Sequence, residues 1–247
     1  MAIDGIYGIQ IHQGRWNSKI VNKFGFNADI ATDEETIWDQ GGSYSYLSSA
    51  SVLKVSSSSA NDTSDGTGAR TVQVYGVDSD YNEINEIVTL NGQTAVNTSN
   101  SFLRVYRVIV RTAGSGEKNA GDIYVGDGTV TSGVPATKYA KIIVGNNQTL
   151  MALWTVPSGY TGYLYQFDCS SGSTAANKFQ TIKFFIRPEN EVFQVKDVQT
   201  IHNNNIVLDY GVPLKINQKS DIEVRAFASS GTDAVSANFS IIYKKNT

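Results

Sequence analysis

Between residues 71 and 110 the apolar and polar positions alternate with a period near two. Thr71-Val72-Gln73-Val74-Tyr75-Gly76-Val77 does so, and so does Asn85-Glu86-Ile87-Val88-Thr89-Leu90. Residues 102–110 put Phe102, Arg104, Tyr106, Val108 and Val110 on one face, with Leu103, Val105, Arg107 and Ile109 on the other. Successive side chains of a strand point to opposite faces, so this spacing predicts β-strands. The second half repeats the pattern more regularly, and strands are expected near 139–145, 148–156, 160–169, 179–187, 191–199, 206–216, 221–228 and 236–244. Turn formers separate them: Pro157-Ser158-Gly159, residues 170–174, Asn203-Asn204-Asn205 and Ser229-Ser230-Gly231. Eight strands in about 110 residues is the density of a β-sandwich, of which a jelly roll is one version. No stretch sustains apolar residues at helical spacing beyond about two turns. Residues 33–40 are expected to form a single helical turn, because their acids gather where a helix dipole favours them.

The fold expected is all-β: an N-terminal extended arm followed by two β-sandwich units, the second jelly-roll-like. Residues 1–47 form the arm, rich in glycine and aromatics with little alternation. Residues 48–137 form the first β unit, with a polar insert at 56–70, and residues 138–247 form the second. The joint is placed near 126–137, where glycine, threonine and Pro135 accumulate.

Composition narrows the chemistry. The chain has 247 residues, one cysteine (Cys169), two histidines (His12 and His202) and 17% charged residues. An intrachain disulfide and a cysteine-based zinc cluster are therefore excluded. Few groups remain for acid–base or nucleophilic catalysis, and the chain is expected not to be an enzyme and to need no cofactor. A net charge of −3 argues against nucleic acid as a partner. No window holds the roughly 18–20 apolar residues of a membrane helix. The first residues lack a basic segment followed by an apolar block, so no signal peptide is expected and folding is placed in a cytosol. Residues 1–137 carry −6 and residues 138–247 carry +3. A difference of this size is usually incidental; the functional reading is contact between copies, since opposite patches steer association.

Two acidic groups invite comparison with cation sites. Asn61, Thr63, Asp65 and Gly66 fit the early positions of a calcium loop, with Asp62 alongside. Val72 stands where a bidentate glutamate is required. Asp78, Asp80, Asn82, Glu83 and Glu86 form the second group, but Glu83 replaces the glycine that such loops need. Weak divalent binding at Asp62/Asp65 or Asp78/Asp80 stays open. The favoured readings are a solvated loop for the first and a hairpin turn joining 71–77 to 84–90 for the second. Gly66-Thr67-Gly68 precedes a strand rather than a helix, which removes it as a dinucleotide loop. Neither histidine sits in a recognisable catalytic constellation.

The N-terminal aromatics Trp16, Phe24, Phe26, Trp38, Tyr44 and Tyr46 are the candidate interface residues, because large rings dominate interface energetics. They either fold back over the first β unit or lie across a neighbouring subunit.

Ile37-Trp38-Asp39-Gln40-Gly41-Gly42-Ser43-Tyr44 resembles a pattern in virion structural proteins of tailed bacteriophages, especially marine ones, of the accessory or decoration type. Asn61-Asp62-Thr63, Gly66-Thr67-Gly68-Ala69-Arg70, Gly76-Val77-Asp78, Asn82-Glu83-Ile84 and Leu90-Asn91-Gly92 continue the similarity, as does the turn Thr155-Val156-Pro157-Ser158-Gly159. It runs over about 24–160 and is strongest at 36–125. The resemblance implies a virion component assembled in the host cytoplasm. The leading expectation is a capsid decoration or cement protein that bridges neighbouring subunits. Its partners would be the major capsid protein or other virion proteins and further copies of itself, with neither nucleic acid nor membrane. The alternatives are a neck, tail or fibre-base protein and a carbohydrate-binding receptor protein.

Overall fold

The computed structural model describes residues 5–173, 175 and 177–247. Strands dominate the described residues. The only helical pieces are α1 (Gly5–His12) and a short 3₁₀ turn, Arg15–Asn17. The chain divides into two compact units: one holds everything up to Ser43 together with Ala152–Thr247, and the other is Tyr44–Met151. In chain order, β1 (Ser18–Ile30) and β2 (Glu35–Thr36) open the first unit. The second unit contributes β3 (Ser51–Ser57), β4 (Ala69–Val77), β5 (Glu83–Thr89), β6 (Val96–Phe102), β7 (Arg104–Ala113), β8 (Ile123–Thr131) and β9 (Val134–Ile142). The first unit resumes with β10 (Leu153–Thr155), β11 (Tyr160–Ser171), β12 (Gln180–Arg187) and β13 (Gln194–Ile201), and ends with β14 (Asn205–Ile216), β15 (Asp221–Ala228) and β16 (Asp233–Lys245).

All sheet pairings are antiparallel. In the first unit one sheet has the order β1-β16-β11-β14 and the other β10-β15-β12-β13, with β2 also on β15. Phe184 of one sheet meets Phe167 and Phe239 of the other, edge to face, at 5.4 and 5.5 Å between ring centres. All three rings are buried. Burying a ring of this size stabilises by about 1.5–3 kcal/mol, so this contact marks the centre of the core.

The second unit is inserted within one strand line of the first. Thr36 stands opposite Arg225 on β15, and Leu153 stands opposite Glu223. Between them Ile37 donates its N–H to Val224 O at 2.9 Å, Val224 to Ala152 O at 3.0 Å, and Ala152 to Ile37 O at 3.0 Å. The chain thus leaves and re-enters at one point of β15. Gly25 on β1 lies against this junction: a Cβ there would stand 2.3 Å from Ile37 O and 2.4 Å from Ala152 N.

Within Tyr44–Met151 the sheets have the orders β6-β3-β8-β9 and β5-β4-β7. Leu53, Val55, Val72, Val74, Phe102, Val105, Ile123 and Ile142 are buried there.

Three expectations are corrected. The expected arm supplies β1, which pairs along β16 from Ser18 opposite Lys244 to Ile30 opposite Asp233. Its alternation is hidden because Lys23, Gly25 and Asn27 occupy buried positions where apolar residues are usual. The expected joint at 137 falls inside β9, which pairs with β8 through Val125 opposite Ala140. The expected helical turn at 33–40 is instead irregular chain around β2, where Glu35 stands opposite Ala226; the Glu35 carboxylate accepts from Asn27 Nδ2, Ala31 N–H and Gly42 N–H. The hairpin expected around 78–82 is present, with β4 and β5 paired from Thr71–Thr89 to Val77–Glu83.

Candidate assembly surface

β13 and β14 are edge strands, one of each sheet in the first unit, with β10 and β1 at the opposite ends. Eleven large hydrophobic residues are exposed among the described residues, and five of them fall in this short stretch: Val192, Val195, Val198, Val207 and Val212. Val192 is 75% exposed and Val212 86%. Isolated exposed valines need no account, but their concentration in one short stretch makes it the candidate surface.

Two bulges shape it. Pairing steps from Phe185–Val195 to Phe184–Asp197, so Lys196 is an extra residue in β13. Phe184 faces the core, so Phe185 and Lys183 face outward, and Val195 and Val198 lie opposite those two. Valines three apart on a regular strand would point to opposite faces; the extra residue puts both on the outer face. In β14 the register jumps from Leu164–Leu214 to Gln166–Asp209, leaving residues 210–213 against Tyr165 alone. Val212 lies in that bulge. Val207, opposite Asp168, lies on the outer face of the other sheet.

The same bulges aim two polar side chains at each other. The Tyr210 hydroxyl donates to Asp197 Oδ2 at 2.7 Å, and Gln199 Nε2 donates to Asp197 Oδ1 at 2.5 Å. Burial raises the Tyr210 phenol above its ordinary value, and the bond to Asp197 adds to this. Nearby Cys169 is buried, and burial followed by the charges of Asp168 and Asp197 pushes its thiol up to about 12. A thiol so held is a packed side chain, not a nucleophile. The bulges and Pro213, which has no N–H, interrupt the regular row of backbone donors, and Lys196 puts a charge on the edge, all of which guard against strand addition. What this stretch offers a neighbour is therefore side chains rather than open backbone.

Beside it lies a charged face whose members neutralise one another. Arg225 donates Nε and Nη2 to Glu223 Oε1 and Oε2, both at 2.9 Å, and its guanidinium lies 4.7 Å from the ring centres of Phe185 and Phe193. Arg187 pairs with Asp221 at 2.5 Å and covers Phe193 at 4.5 Å. Lys183 pairs with Glu34 at 2.8 Å. Glu223 and Asp221 are buried, and Thr36 and Thr155 hydroxyls donate to them at 2.5 and 2.7 Å. Three cations meet three carboxylates, leaving little charge for a ligand.

The structure does not gather the six N-terminal aromatics into one patch. Trp16 is 50% exposed, in the 3₁₀ turn. Phe24 and Phe26 are half-buried on β1. Trp38 is buried and donates its indole N–H to Gly42 O at 3.0 Å. In the second unit Tyr44 is buried, donates to Val105 O at 3.2 Å, and meets Tyr46 edge-on at 4.8 Å. Half-buried Tyr46 also lies 5.1 Å from the Arg104 guanidinium. Trp38 and Tyr44 are thus packed within their own units.

The acidic candidates are turn residues. Asp62 is fully buried: Oδ1 accepts from the N–H groups of Ala69 and Ala120 at 2.7 and 2.8 Å, and Oδ2 from the Ser57 hydroxyl and Gly121 N–H at 2.6 and 2.9 Å. Four donors fill the acceptor positions of one carboxylate. Asp65 is exposed. Asp78 Oδ1 accepts from Asp80 N–H and Asn82 N–H, both at 2.9 Å, closing the hairpin turn. Among the described residues no three of His, Cys, Asp and Glu cluster as metal ligands. His202 is exposed, with Nδ1 2.5 Å from Lys178 O. The His12 side chain lies outside the described residues.

The valines went unnoticed in the sequence because alternating valine is also how a buried strand reads. Their signal was Pro213 within a strand pattern, which marks an edge.

No family model matches the sequence, and no curated protein matches it. Among solved structures, the chain is similar to the infectious bursal disease virus Gt strain at 10% identity, over 91% of this chain and 70% of that one, with a TM-score of 0.22. An infectious bursal disease virus VP2 subviral particle matches at 9% identity over 94% and 77%, also at 0.22. T=1 particles derived from the same virus match at 8% over 92% and 69%, at 0.23. Overlap this loose carries no argument about function.

Proposed function

We propose that the chain is a non-enzymatic structural subunit of a bacteriophage virion, a decoration or cement protein that bridges neighbouring capsid subunits. The observation that carries this reading is the run of exposed valines along β13 and β14, edges closed to strand pairing and open to side-chain contact. Its partners are the major capsid protein and further copies of the chain, met in the host cytoplasm during assembly.

Strand order supports the finer reading of the fold. Counting the β2/β10 line as one strand, the first of eight lies beside the eighth, the eighth beside the third, and the third beside the sixth. The second lies beside the seventh, the seventh beside the fourth, and the fourth beside the fifth. That is the order of a jelly roll, a common architecture of capsid proteins. On this reading the jelly roll belongs to the unit built from both chain ends, and the sheets of four and three strands form a second sandwich inserted within it. Repeated weak contacts of valine surfaces suit a subunit stabilised by its neighbours.

A density map of the intact particle tests the proposal. The chain is expected on the head, with β13 and β14 against neighbouring subunits. Density at the neck or tail, or β13 and β14 facing solvent in every copy, would overturn it.

A further inference from the structure

At one end of the sheet formed by β1, β16, β11 and β14 lies a pocket of about 260 Å³ lined by Thr161, Tyr163, Lys244, Lys245, Asn246 and Thr247. Thr161 stands opposite Lys244, while Tyr163 lies between Ile242 on β16 and Lys215 on β14. Lys215, Lys244 and Lys245 are exposed, and none has an ion-pair partner among the described residues. They contrast with the cations on the other sheet, whose carboxylates are already in place.

Asn246, directly after β16, is held by two bonds. Asn246 N–H donates to Gly159 O at 2.8 Å, and its Oδ1 accepts from the Thr161 hydroxyl at 2.7 Å. Orienting the amide this way leaves its NH₂ as a donor without a partner among the described residues. The lining is therefore an aromatic ring beside ammonium and amide donors, a set that suits an acceptor-rich anion on a flat ring. The volume is that of a single ring rather than of an extended peptide.

We infer that this pocket binds an acidic sugar, a pyranose bearing a carboxylate or sulfate that stacks on Tyr163 and pairs with Lys244, which shares its face of the sheet. The inference stands apart from the assembly reading, because the pocket and the valine edge share no residue.

The test is calorimetric titration of the full chain with a uronic-acid oligosaccharide, a sulfated oligosaccharide, their neutral counterpart and polyglutamate. At least one acidic sugar is expected to bind about tenfold or more tightly than the neutral one, and the tighter of the two names the oxyanion. Lys244→Ala and Tyr163→Ala are each expected to weaken it by a similar factor, whereas Tyr163→Phe keeps the ring and the affinity. Near-ultraviolet circular dichroism confirms that each variant is folded. Equal binding of the neutral sugar, or affinity unchanged in either alanine variant, would overturn the inference. So would binding of polyglutamate as tight as that of the sugar, since it would reduce the pocket to a general cationic patch.

Discussion

Around Asp62 in the second unit, polar groups converge and are used up. One buried carboxylate ties together residues 57, 69, 120 and 121. Asn119 and Asn147 exchange reciprocal bonds from backbone N–H to side-chain oxygen, both at 3.0 Å. Along β13 and β14 in the first unit the materials are reversed, with apolar side chains left in water on strands whose outer edges are unpaired. The first region holds many conspicuous residues and needs them for its own fold. The second is plain in sequence and leaves surface to spare. Conspicuous polar motifs therefore mark where this chain is tied, and the inconspicuous valines mark where it is open.

The largest effect that can break this comparison is expected at Asp62. Asp62→Ala strips four donors of their shared acceptor, three of them on buried residues. Hydrogen bonds to a charged group contribute about 1.5–3 kcal/mol, so a loss of about 3–5 kcal/mol is expected. Urea unfolding monitored in the second unit measures it, and a loss below about 1 kcal/mol would make Asp62 an ordinary loop residue.

Gly25→Ala comes next. Its Cβ would press on backbone atoms of Ile37 and Ala152, which cannot swing aside as a side chain would. Overpacking of this kind costs about 1–3 kcal/mol. Hydrogen exchange should show the loss at the β15 junction, where the second unit's chain leaves and returns.

Tyr210→Phe is smaller, about 1 kcal/mol for one hydrogen bond. It also has a pH signature. The phenol of Tyr210 and the thiol of Cys169 are both raised in the folded chain. As pH rises past about 9 to 10, the unfolded chain releases these protons first, so stability falls until the folded groups also titrate. The wild type should lose stability steeply in alkali, and Tyr210→Phe less steeply. Identical alkaline slopes would detach the bulge contact from the account.

The smallest stability change is expected at the open edge. Val195→Ser with Val198→Ser should shift the unfolding free energy by about 0.5 kcal/mol or less per site, because half-exposed side chains lose little burial. A loss of several kcal/mol would mean that these valines belong to the core.

The legibility of this fold follows the same contrast. The strands after residue 160 read plainly because apolar residues such as Ile182, Phe184 and Ile186 line the core at every second position. β1 did not, because Lys23, Gly25 and Asn27 take the buried positions opposite Phe239, Ala237 and Val235. Its partner lies more than two hundred residues away, beyond any local pattern. The insertion was hidden for a related reason: β2 has two residues and β10 three, too few to show a period. The motif residues at 78–82 were read correctly as a hairpin turn. Elsewhere they are structural as well: Gly68 must lack a side chain because a Cβ would stand 2.1 Å from Asp62 Oδ1. At the candidate site, Lys196 could not be recognised as an extra residue from sequence, since a bulge is defined only by the partner strand.

The most direct test of the proposed role is incorporation into particles. Virions assembled with chain carrying Val192→Ser, Val195→Ser, Val198→Ser, Val207→Ser and Val212→Ser would be purified, and copy number read by quantitative mass spectrometry. The account predicts a folded, soluble variant largely absent from the particle. Incorporation at the wild-type copy number would contradict it.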